Sequence, residues 1–176
     1  MKKLLLIVVV FMAALSASAQ KMYIGGGIGL WRDSDIDKME FTISPDFGVE
    51  LSEQWAVGGE LHYAHKNWNI SDTSLEVNSF AIAPYARYTY FHNKVVRLFL
   101  DMGMGVSVTK PEHSDSDTGF EIGIKPGLAV KLNDHFSLVT KVGFAGYTND
   151  FLGEKKEGFG VLLNGNNLSF GIEYTF

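Results

Sequence analysis

The segment Leu168-Ser-Phe-Gly-Ile-Glu-Tyr-Thr-Phe176 alternates without a fault. Its even positions (Leu168, Phe170, Ile172, Tyr174, Phe176) are apolar or aromatic, and its odd positions (Ser169, Gly171, Glu173, Thr175) are small, polar or charged. Successive side chains of a β-strand point to opposite faces, so this is a ribbon with one apolar and one polar side. The apolar side must lie against either a protein core or lipid, and that choice decides the fold.

The same period of two recurs upstream. Phe41, Ile43, Pro45, Phe47, Val49 and Leu51 share one parity, against Thr42, Ser44, Asp46, Gly48 and Glu50. Trp55, Val57, Gly59, Leu61 and Tyr63 alternate with Ala56, Gly58, Glu60, His62 and Ala64. Phe80 to Tyr90 and Val96 to Val108 follow suit, with Phe99 the one bulky apolar residue on the second segment's polar side. Phe120, Ile122, Ile124, Pro126, Leu128, Val130 and Leu132 form the cleanest apolar row, and Phe136, Leu138, Val142 and Phe144 extend the rule. With a Gly-rich first segment, this predicts eight strands, near 21–31, 41–51, 55–64, 79–90, 96–108, 120–132, 136–144 and 168–176. Several match or exceed the ~9–11 residues that cross a bilayer at a tilt. Short turns at 52–54, 92–94 and 133–135 alternate with longer polar, acidic connections at 32–39, 66–76, 110–118 and 149–166. Transmembrane barrels show this asymmetry, with turns periplasmic and loops extracellular. A soluble carrier barrel would turn its charges outward and its apolar parity inward.

The N-terminus is read apart from the fold. Lys2 and Lys3 precede an apolar run from Leu4 to Leu15, and Ala17-Ser-Ala19 fits a small-x-small cleavage rule, with Gln20 the first mature residue. The expected organisation is a signal peptide over 1–19 and one barrel domain over 20–176. Losing both leader lysines leaves 13 basic against 20 acidic residues, a charge of -7. That balance argues against a nucleic-acid partner, whose phosphates demand a basic face. The absence of Cys removes disulfides and thiolate chemistry together.

The polar parity carries Asp46, Glu50, Glu60, Asp101, Glu121 and Glu173 together with Arg87, Arg97, Lys125, Lys131 and Lys141. An Arg or Lys facing lipid at the bilayer midplane costs about 2–4 kcal/mol, so this parity must face the lumen. An eight-stranded barrel is just wide enough for side chains to fill it. The eleven residues are therefore expected to form a balanced ion-pair network, because an unpaired buried charge is heavily penalised. Glycines of the same parity (Gly48, Gly58, Gly103, Gly105, Gly123, Gly127, Gly143 and Gly171) are expected to make room for the long charged chains. Aromatics gather at the strand ends as interfacial belts do: Trp55, Tyr90, Phe91, Phe136, Tyr174 and Phe176 at one rim, Trp31, Phe41, Tyr63, Phe80, Phe120 and Tyr147 at the other.

With these features assembled, the chain resembles the small eight-stranded outer-membrane barrels of the OmpX and OmpA-transmembrane-domain type. The resemblance rests on the alternation, the connector lengths, the segment Leu51-Ser-Glu-Gln-Trp-Ala-Val-Gly-Gly59 and the C-terminal strand. It implies an all-β, antiparallel, up-and-down transmembrane barrel in the outer membrane of a Gram-negative bacterium, surrounded by lipid and lipopolysaccharide. It also implies handling by periplasmic chaperones and the barrel-assembly machinery, with Tyr174 and Phe176 as the assembly signal.

Candidate chemistry is sparse. His135-Phe-Ser137 has the spacing of a lipid A deacylase pair, but it falls at a short turn, and the opposite end of that strand, near 147–149, has no His. Asp33-Ser-Asp35-Ile-Asp37 and Asp115-Ser-Asp117 offer carboxylates without the Gly and terminal Glu of an EF-hand. Gly25-Gly-Gly27-Ile-Gly29 lacks the Lys-Ser/Thr of a phosphate loop. No catalytic, cofactor or metal set is expected. The leading expectation is a barrel with a largely plugged core and a structural or surface-contact role, with any ligand bound at its acidic loops. The alternatives are a narrow channel for small or apolar solutes and a lipid A-modifying enzyme.

Overall fold

The computed structural model describes residues 21–33, 38–70, 73–112, 115–154, 156–162 and 168–176, with the backbone alone described at 30–33, 38, 68–70, 73–75 and 168. The expected leader, with Ala17, Ala19 and Gln20, lies outside these residues, as do Asp35 and Asp37.

Ten strands form one antiparallel sheet: β1 (Met22–Asp33), β2 (Lys38–Glu50), β3 (Trp55–Ile70), β4 (Thr73–His92), β5 (Val96–Pro111), β6 (Asp117–Lys131), β7 (Phe136–Val142), β8 (Phe144–Asn149), β9 (Glu157–Leu162) and β10 (Leu168–Thr175). They make eight staves. β7 and β8 lie end to end along β6, and on their far side β10 pairs with β7 and β9 with β8. Each stave pairs with its neighbour in sequence, and β1 pairs with β10 to close the barrel. Where these strands pair, closure leaves no open edge to a solvent that cannot satisfy one, while among the described residues β9 pairs with β8 alone.

The three short turns share one device. The Ser52 hydroxyl accepts the N–H groups of Gln54 and Trp55. The Asn93 carboxamide oxygen accepts those of Val95 and Val96, and that of Asn133 accepts those of His135 and Phe136. Each side chain thus satisfies two donors that a tight reversal leaves unpaired. These turns lie at one end of the barrel with Lys21 and Phe176, and the hairpins lie at the other. The stretches expected as long loops are largely paired strand, since β3 and β4 stay in register to Ile70–Thr73 and β1 and β2 to Asp33–Lys38. Beyond a bilayer both faces of a strand meet water, so no apolar parity marks it.

Two staves depart from strict alternation: β4, whose register with β5 shifts between Thr89 and Phe91 near the turn end, and the stave made of β7 and β8. In the latter, Gly127 pairs with Lys141, but Ile124 pairs with Ala145, one residue out of step. The extra residue is Gly143, at φ 73°, a conformation open to glycine. A bulge of one residue exchanges the two faces beyond it. Phe144, expected to face lipid, is therefore buried in the lumen. Elsewhere the apolar parity faces outward, as at Phe47, Ile82, Val106, Ile122 and Ile172, and the charged parity is buried inside.

Candidate functional site: the charged lumen

The polar parity converges on two cations. Arg87, on β4, is 1 % exposed. Its fork grips the cross-strand partner Asp101 through Nε (2.7 Å) and Nη2 (3.0 Å), while Nη1 donates to Glu173 of β10 at 2.8 Å. Its Nη2 also lies 3.6 Å from Asp46 of β2. Planar bidentate geometry makes Arg suited to several carboxylates at once. Lys141, on β7, reaches Glu60 of β3 at 2.6 Å, Asp101 at 3.0 Å and Asp46 at 3.5 Å. Toward the turn end, Arg97 joins Glu50 (3.0 Å) and Glu173 (2.5 Å). Toward the hairpin end, Lys125 pairs with Glu121 at 2.7 Å.

Rings complete the network. Tyr85 donates to Asp46 at 2.5 Å, and its hydroxyl lies 2.8 Å from that of Tyr23 on β1. The Arg87 guanidinium sits 4.1 Å over the Phe99 ring and about 5 Å from the Tyr23 and Tyr85 rings. Phe99, the apparent outlier of the polar parity, thus supports the central cation from beneath, with Ala129 and Val139 packed beside it. Five of the glycines expected to make room for charged chains make room for rings instead, while Gly105 meets both Phe151 and Glu121, Gly171 meets the Gly26 backbone and Gly143 forms the bulge. A Cβ on Gly48 would strike Tyr23, on Gly58 or Gly103 Tyr85, on Gly123 Phe144, and on Gly127 Phe99.

Ten of the eleven expected charges lie in the lumen within ion-pair distance of an opposite charge. Lys131 is the exception, contrary to expectation. It ends β6 at the turn rim, exposed, with no ion pair among the described residues. Parity puts it on the inner face, but its position at the strand end carries it to water. Without it the expected set holds six carboxylates against four cations, and toward the hairpin end Lys66 and Glu40, of the same parity, add a further pair at 3.6 Å. Tyr23 and Tyr85 were not foreseen as members. Tyr85 shares the parity of Arg87, and that shared parity was the available signal.

The lumen also brings together Ser44, His62 and Glu60. Ser44 Oγ is 3.0 Å from His62 Nδ1, and His62 Nε2 is 3.4 Å from Glu60. These residue types could form a nucleophile–base–acid relay, but the geometry does not provide one. Glu60 is held by Lys141, His62 Nε2 makes no hydrogen bond, and Phe151 stands edge-on to the imidazole at 6.3 Å. A cavity beneath, lined by Glu60, Asp101, Glu121, Lys125 and Tyr85 among others, has about 20 Å³, room for a single water. His135 turns to the rim, against the Thr175 carbonyl and the Tyr174 ring, while Ser137 is buried on the other face. Among the described residues no group of carboxylates or histidines is arranged to hold a metal ion.

Comparison with known proteins agrees with this architecture. The family model for the outer membrane protein beta-barrel domain matches residues 3–176. A search of curated proteins found no match. Among solved structures, the chain is similar to Ail, the attachment invasion locus protein of Yersinia pestis, solved in complex with the heparin analogue sucrose octasulfate. Identity is 14 % over 90 % of this chain and 100 % of that one, with a TM-score of 0.56. It is also similar to the N-terminal beta-barrel domain of Pseudomonas aeruginosa OprF (15 % identity, 89 % and 97 % of the chains, TM-score 0.48) and to the outer membrane enzyme PagL (16 %, 90 % and 99 %, TM-score 0.41). At 14 % identity the likeness to Ail speaks for the fold alone. With nearly its whole length matched by the family model, the chain belongs to the outer membrane protein beta-barrel domain family.

Proposed function

We propose that this protein is a closed barrel of the Gram-negative outer membrane that serves envelope integrity and surface contact rather than solute passage. The observation that carries the reading is the cross-lumen network. Arg87 ties β4 to β2, β5 and β10, and Lys141 ties β7 to β2, β3 and β5, so charged bridges cross the bore where a channel would need water. In this orientation the short turns face the periplasm and the hairpins the exterior, with outer-membrane lipid and lipopolysaccharide around the apolar parity. The connections at 32–39, 66–76, 110–118 and 149–166 each carry more acidic than basic residues. They do not match a polyanion of the kind with which Ail was solved. Purified protein in planar bilayers should show no unitary conductance, and steady unitary steps would overturn the closed-lumen reading.

Residues 1–19 serve as the export signal, leaving Gln20 first after cleavage. Tyr174 and Phe176 serve as the mark read by the barrel-assembly machinery after delivery by periplasmic chaperones. In support, Tyr174 is packed against Phe136 and Phe176 at 5.0 Å each, while Phe176 stays two-thirds exposed at the turn rim. Deleting Phe176 should lower the heat-modifiable, outer-membrane fraction; unchanged assembly would remove that role.

A further inference from the structure

The connection between β8 and β9 turns into the barrel. Phe151 is buried, its ring against Gly105 of β5, where a Cβ would lie 2.7 Å from the ring. Gly119 of β6 makes the same allowance for the Asp150 carbonyl. The Leu152 N–H donates to Ser107 Oγ at 2.9 Å, and the Ser79 hydroxyl reaches the Leu152 carbonyl at 3.4 Å. The ring stands edge-on to His62 and 5.9 Å from Lys125 Nζ, at the hairpin end of the charged network. The backbone here is unusual. Asp150 (φ 47°) and Leu152 (φ 54°) are the non-glycine residues at positive φ among the described residues, and Gly153 follows at φ 70°. Leucine in this region is uncommon because its Cβ crowds the backbone.

Hairpin connections use left-handed residues to reverse the chain, but a leucine is seldom chosen for the purpose. Here the left-handed residues turn one aromatic ring inward against Gly105, which leaves room for it. Burial of that ring is set against the backbone strain, and the two hydrogen bonds to Ser107 and Ser79 tie the segment to the wall. Further in, past Lys125, lies the small cavity lined by Glu60, Asp101, Glu121 and Lys125. We propose that Asp150–Glu154 is a lid folded into the barrel mouth, and that water and small cations reach this charged cavity from the hairpin end only when the lid lifts. The geometry of Phe151 over Gly105 is the seal.

The chain has no Cys, so a single introduced thiol reports on one place. Ala83 is buried and lines the cavity. In folded protein in detergent micelles, A83C should react with the small cationic reagent aminoethyl methanethiosulfonate at least tenfold more slowly than the turn variant K94C. Adding F151A should raise the A83C rate at least tenfold, with heat-modifiable migration confirming that the barrel is folded. A second variant tests lid movement without removing the ring. A Cβ on Gly153 would lie 3.5 Å from that of Thr109, within disulfide range, so T109C/G153C can staple the lid shut. Labelling at residue 83, read by peptide mass mapping, should be at least tenfold slower in the oxidised staple than after its reduction and removal of reductant. Equal A83C rates with and without Phe151 would overturn the seal. Equal rates with the staple closed and open would overturn the lid.

Discussion

Two halves of the wall use one alternating pattern differently. From β3 to β6 the ladders run long, with β3–β4 unbroken from Trp55–Tyr88 to Ile70–Thr73, β5–β6 from Val96–Val130 to Thr109–Asp117, and β4–β5 shifted once, between Thr89 and Phe91 at the turn end. On the other side, Gly143 breaks one stave into β7 and β8, and the β1–β10 ladder spans only Tyr23–Thr175 to Gly26–Ile172. The regular half supplies the rigid frame and most of the charged anchors: Glu60, Arg87, Arg97, Asp101, Glu121 and Lys125. The irregular half supplies what turns inward against the pattern, Phe144 beyond the bulge and Phe151 on its inserted connection. Regular pairing holds charges at fixed heights across the bore, whereas a break in pairing re-aims side chains.

The sharpest way to break this contrast is at the centre of the network. Arg87→Leu leaves Asp101, Glu173 and Asp46 without their main cation and should cost about 3–5 kcal/mol, read as a fall in the urea unfolding midpoint of the refolded barrel. Arg87→Lys keeps the charge but loses the fork, and should fall between the two. Loss of no more than a few tenths of a kcal/mol in Arg87→Leu would show that the bridges do not brace the barrel. In the irregular half, Gly143→Ala places a Cβ at φ 73° and should cost about 1–2 kcal/mol by the same measurement. A neutral result there would mean that the bulge can shift without strain. Lys131→Ala should be smallest, within about 0.5 kcal/mol, since this exposed rim residue pairs with no charge among the described residues. A loss comparable to Arg87→Leu would return Lys131 to the network.

Much of the lumen was legible because side-chain facing is a local property. Arg87, Asp101, Lys141 and Glu173 could be assigned inward from neighbours two residues away. The mistaken readings share one cause. Phe144 was placed outward because a one-residue slip carries no compositional mark beyond a glycine, in a chain holding 19 of them. Those glycines were assigned to the charged chains, since parity gives a side chain's direction but not which opposing group it meets. Phe99 did announce itself as a bulky member of a polar row, yet its place under a guanidinium depends on Arg87 of the adjacent strand.

The sequence by itself determined an antiparallel barrel of eight staves with a polar interior. Period two, strand length and turn chemistry are set by residues close together in the chain, and the cost of charges in lipid leaves one way round. Only the tertiary structure decided which charges meet, where the wall slips, and that a connection folds back into the mouth. Lys141 finds Asp46 across 95 residues of chain, and Phe151 finds Gly105 only because the closed wall brings them face to face. Such partners depend on closure and register together, and no local pattern encodes them.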